Sequence, residues 1–128
     1  KKESPFFSEV PMKAPPPFNK DRIRTVTKGF SWIDRRIITE DFLPSLSKEE
    51  IALYFFLVTA ADRLGMSFWS HEKISYLLGI EMHELDRAIH GLVDQDLIAY
   101  RYPFFQVLSL PLLPSWRFRG SLLAKGRP

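Results

Sequence analysis

His83, Asp86 and His90 stand at i, i+3 and i+7, a spacing that puts two imidazoles and a carboxylate on one face of a helix, within reach of one cation. His83-Glu84 also begins as the zinc-protease pattern does, but that pattern needs its second histidine at position 87, which is Arg87. Zinc sites require three or four ligands oriented by further partners, and no other ligand cluster accompanies these residues. A solvated polar face, with Asp86 and His90 paired at i, i+4, accounts for them, so no metal is expected. The chain has no cysteine, which removes thiol nucleophiles, thiolate ligands and disulfides together. None of its serines lies in a glycine-flanked elbow, and its six glycines form no phosphate-cradling loop. The Glu49-Glu50 pair is explained by a helix start, so neither catalysis nor a cofactor is expected.

Charge points elsewhere. Residues 1–40 carry nine Lys/Arg against five Asp/Glu, residues 41–100 carry four against ten, and residues 101–128 carry five against none. A polyanion would therefore be drawn to the two flanks, because phosphate attraction follows local cations rather than the net charge. Lys20, Arg22, Arg24 and Lys28 lie on the first flank, and Arg117, Arg119, Lys125 and Arg127 on the second, with Trp116 and Phe118 between them. The opposing reading of such termini is plain solubility.

The elements that must position these groups follow from punctuation and period. With 128 residues, 45% apolar and 26% charged, the chain fits one globular domain, and no apolar run reaches the roughly 20 residues of a membrane span. A soluble, cytoplasmic protein with no membrane partner is expected; the Lys1-Lys2 start lacks the apolar stretch of a signal peptide. Residues 1–28 hold five of the ten prolines and no periodic pattern, so they read as an extended proline-rich arm. Ser31 with Asp34 marks one helix start, and Ser47 with Glu50 a stronger one, opening a helix to about Leu64 that is apolar on nearly all sides. Gly65 ends that helix, and Met66–Trp69 reads as a short strand. Ser70 then caps a brief helix, His71 to Leu78, that ends at Gly79. The next helix runs from about Glu81 to Gln95, with Leu85, Ala88, Ile89 and Leu92 on one buried face. Leu97–Tyr100 and Phe105–Leu108 are strand-like and read as a hairpin, with residues 111–128 a basic tail, at most partly docked.

Ile74-Ser75-Tyr76-Leu77-Leu78-Gly79-Ile80, followed by Leu85, Arg87-Ala88-Ile89, Leu92 and Leu97-Ile98, resembles the winged helix-turn-helix superfamily, particularly its replication-initiator and DnaD-like branch. The resemblance covers roughly Leu46 to Leu110. It implies a mainly α fold with a small antiparallel β wing over residues 29–110, double-stranded DNA as partner, and a regulatory or replication-associated role. It also implies that the second helix enters the major groove with residues near its N-terminus at the bases. By position those are Glu81, Met82, His83, Glu84, Asp86, Arg87 and His90. Five acids against Arg87 alone between Glu81 and Asp96 would be repelled by phosphate. Arg101 is the cation of the wing, beside Tyr100, Tyr102, Phe104 and Phe105. The candidate DNA contacts are therefore Arg22, Arg24, Lys73, His83, Arg87, His90, Arg101, Arg117 and Arg119. The alternative is a protein-interaction or homodimerisation module that uses the acidic helix and the aromatic wing.

Overall fold

The computed structural model of the chain describes residues 15–114. Four helices and three strands lie among them, in the order α1 (Arg36–Thr39), α2 (Lys48–Ala60), β1 (Met66–Phe68), α3 (His71–Leu78), α4 (Met82–Asp94), β2 (Ile98–Arg101) and β3 (Phe104–Val107). Single 3-10 turns occur at Lys20–Arg22 and Leu43–Ser45. Residues 15–35 are exposed throughout.

Local capping sets the helix boundaries. The Ser47 hydroxyl accepts from the Glu50 amide at 3.1 Å while the Glu50 carboxylate accepts from the Ser47 amide at 2.9 Å, which satisfies two backbone donors that α2 leaves unpaired. The apolar run that follows implies a helix to Leu64, but α2 stops at Ala60. Asp62 stops it: its Oδ1 accepts from the amides of Leu64 and Met66, offering the backbone a turn in place of further helix. The expected cap at Ser31 is also displaced. Its hydroxyl donates to the Thr59 carbonyl at 3.0 Å, and α1 starts at Arg36, whose amide donates to Asp34 Oδ1.

Ser70 caps α3 through the Lys73 amide, and Gly79, at φ 68°, takes the left-handed conformation that ends it. Glu84 caps the start of α4 by accepting from the Glu81 amide at 3.0 Å. At the far end Leu97 donates to the Leu92 carbonyl and Asp96, at φ 64°, to that of Val93, the paired bonds of a Schellman motif.

The core collects Leu53, Tyr54 and Leu57 from α2, Ile74 from α3, Leu85, Ala88, Ile89 and Leu92 from α4, and Leu97, Ile98 and Phe105 from the hairpin region. Fully burying a side chain of this size is worth about 1.5–3 kcal/mol, which makes this cluster the main support of the fold. Although its sequence is apolar all round, α2 buries one side only: Ile51 and Phe55 face outward, the latter 65% exposed.

The hairpin gains a third strand. β3 lies between β1 and β2, antiparallel to both, giving the order β1-β3-β2. Both hairpin strands shift by one residue from the expected bounds, which tightens the turn to Tyr102 and Pro103, joined by a cis peptide bond. Since side chains alternate along a strand, Phe105 faces the core opposite Ser67 and Tyr100, and Phe104 faces outward opposite Phe68 and Arg101. No helix among the described residues is long and apolar enough to cross a membrane.

Candidate nucleic-acid interface

The buried stripe of α4 leaves His83, Arg87 and His90 at i, i+4 and i+7 on its opposite, exposed face. His90 Nδ1 lies 2.8 Å from the Asp86 carbonyl oxygen, not against the Asp86 carboxylate. A carbonyl only accepts, so Nδ1 is the donor and Nε2 carries the lone pair of the neutral ring. His83 Nδ1 lies 3.4 Å from Glu81 Oε1. Among the described residues no three His, Cys, Asp or Glu side chains come together as a metal site would require.

The acids of this helix are partly drawn into local bonds. Glu84 accepts from the Glu81 amide and the exposed Glu81 carboxylate lies beside His83, while Asp86, Asp94 and Asp96 are also exposed.

The hairpin is fastened next to α3 by contacts that only the fold assembles. His71 Nε2 lies 2.7 Å from the Tyr100 hydroxyl, and its ring stands edge-on to Tyr102 with centroids 5.3 Å apart. Tyr100 in turn lies against Phe105 at 4.8 Å. Burial pushes the Tyr100 hydroxyl above its ordinary pKa, and Tyr102 and the Asp86 carboxylate push it further. The Trp69 amide donates to the Pro103 carbonyl at 3.0 Å, so the turn is held to the segment just before α3.

The remaining candidate cations fall into separate places. Arg101 ends β2 on the outer sheet face, and Lys73 borders the same face from α3, in a shallow depression shared with Phe68, Trp69 and Phe104. Arg22 and Arg24 lie on the exposed leading segment. Arg117 and Arg119 lie outside the described residues. The structure thus groups His83, Arg87 and His90 on one surface, while Lys73 lines a depression with Phe68 and Phe104, and Arg101 stands opposite Phe104 on β2.

Two contributors were not among the candidates read from the sequence. Phe68 reads only as a strand residue until β1 pairs with β3, and His71 reads only as the first residue of a helix until β2 brings Tyr100 to it. No pattern within either local segment carries those contacts. No protein-family model, characterised protein or solved structure matches this chain.

Proposed function

We propose that this chain is a winged helix-turn-helix protein that binds double-stranded DNA in a regulatory or replication-associated role, with α4 in the major groove and β2–β3 as the wing. The observation that supports this reading best is the exposed face of α4 bearing His83, Arg87 and His90, backed by a fully buried stripe and followed by a fastened hairpin. A B-form major groove is about 12 Å wide and admits one α-helix. Arg87 offers guanine or phosphate a planar fork of donors, with the His83 and His90 imidazoles on either side of it. Arg22, Arg24, Arg101, Arg117 and Arg119 would supply phosphate contacts around it.

Fluorescence anisotropy with duplex DNA, titrated with salt, tests the reading. Affinity should fall steeply as salt rises, and Arg87→Ala should cost roughly tenfold. Neutralising the four arginines at 22, 24, 117 and 119 should flatten the salt slope by about one for each phosphate that is no longer neutralised. Duplex binding that ignores salt, or that Arg87→Ala and His90→Ala leave unchanged, would overturn it.

A specific feature favours the alternative reading, association with a protein or with a second copy. Phe30 and Trp32, 79% and 86% exposed, border a cleft of about 630 Å³ that also takes in Val58, Val107 and Leu108. Exposed aromatic side chains at an apolar cleft are typical anchors of protein contacts. Concentration-dependent self-association that Trp32→Ala abolishes would support it.

A further inference from the structure

We infer that the outer face of the β-sheet is a second nucleic-acid surface, a stacking platform for single-stranded DNA. Phe68 on β1 and Phe104 on β3 stand directly opposite each other, with ring centroids 5.8 Å apart and planes tilted by 58°. They remain 68% and 51% exposed. Phe104 is also directly opposite Arg101 on β2, so the order across this row is Phe68, Phe104, Arg101. On the other side Lys73 reaches the depression of about 760 Å³ that contains both rings.

Two phenyl rings flanked by two cations match a strand of unpaired nucleotides, which presents a flat apolar base and an anionic phosphate at each step. Adjacent strands lie about 4.8 Å apart, so rings on neighbouring strands can each take up a base while the cations meet the phosphates between. Duplex DNA cannot use the rings, because its bases are stacked on one another. An apolar peptide would use them but would gain nothing from Lys73 and Arg101. The carboxylate bordering this depression is Asp62, whose Oδ1 already accepts two backbone amides. The choice of DNA over RNA rests on the DNA-binding reading above, whereas the stacking surface stands on its own geometry.

Anisotropy of the full chain with a labelled oligothymidylate, an oligouridylate of equal length and a duplex control tests this. Oligothymidylate should bind, and Phe68→Ala and Phe104→Ala should each weaken it by roughly tenfold, as expected for loss of one stacked base. Phe104→Tyr should restore most of the affinity, and Arg101→Gln should reduce its salt dependence. Arg87→Ala should weaken the duplex and leave oligothymidylate unchanged, which separates failure of this surface from failure of the α4 reading. Both phenylalanines are more than half exposed, so their truncation should lower the thermal melt only by the few degrees that loss of one cross-strand ring contact implies. Absence of oligothymidylate binding, equal binding by the alanine variants, or displacement by polyphosphate as effective as by oligonucleotide would each overturn the platform. Tighter binding of oligouridylate would overturn its assignment to DNA.

Discussion

Gly91 of α4 lies so close to the Glu50 carboxylate of α2 that a β-carbon at position 91 would overlap it. That same carboxylate accepts from the Ser47 amide, so the glycine leaves room for the capping box. A mid-helix glycine costs about 1 kcal/mol relative to alanine, and this contact is what justifies it. With Glu50 present, Gly91→Ala should displace the carboxylate from the Ser47 amide, and this loss should cancel most of the roughly 1 kcal/mol that alanine gains in a helix interior. In a Glu50→Ala background the same change should stabilise by up to about 1 kcal/mol. A urea-denaturation double-mutant cycle reads the difference, and equal effects in both backgrounds would refute the contact.

Arg36 holds the far end of the described chain to α1. Its guanidinium donates to the carbonyls of Leu110, Pro111 and Leu112, lies 3.8 Å from Glu40 and stacks over Phe42. Bonds of this charged kind are worth about 1.5–3 kcal/mol where they are shielded from water, and partial exposure lowers that here. Arg36→Ala should cost about 1–2 kcal/mol in denaturant melts and speed proteolysis near Leu112. Arg36→Lys should recover less than half of this, because an ammonium cannot span three carbonyls as a planar fork does.

Asp96 occupies the left-handed position of the Schellman motif that ends α4, at φ 64°. Glycine meets no steric penalty there. Asp96→Gly should raise stability by about 0.5–1 kcal/mol, and Asp96→Val should lower it by more than that. Thermal melts of both variants give the comparison; a loss of stability with glycine would contradict the role assigned to this residue.

Asp62 predicts the acid limb of stability. Its carboxyl is held below the usual range first by the Met66 amide and then by the Leu64 amide, with a smaller contribution from Arg63. A depressed folded pKa means that the carboxylate stabilises the fold above its unfolded value, near pH 4, and that this contribution is lost as pH falls through the lower, folded value. Asp62→Asn keeps the acceptor oxygen without the titration. Its unfolding free energy should therefore fall less steeply than that of the parent below about pH 4. Parallel slopes in that window would show that Asp62 does not control it.

The sequence by itself determined features that act over one helical turn or one repeat of side-chain period. Ser47 with Glu50, Ser70, Gly79 and the stripe Leu85, Ala88, Ile89 and Leu92 all do in the structure what their spacing implies, because a cap or an apolar face involves neighbours along the chain. The exposed Arg87 and the two imidazoles of α4 were legible for the same reason: once the buried stripe is known, the opposite face follows from the helical period. Only the tertiary structure decided that Asp62 cuts α2 short, that β1 joins the hairpin, that Gly91 accommodates Glu50, and that Phe68, Phe104, Lys73 and Arg101 share one surface. Those outcomes depend on which segments meet across tens of residues, and the free energy that selects the meeting belongs to the whole packed core rather than to any local pattern.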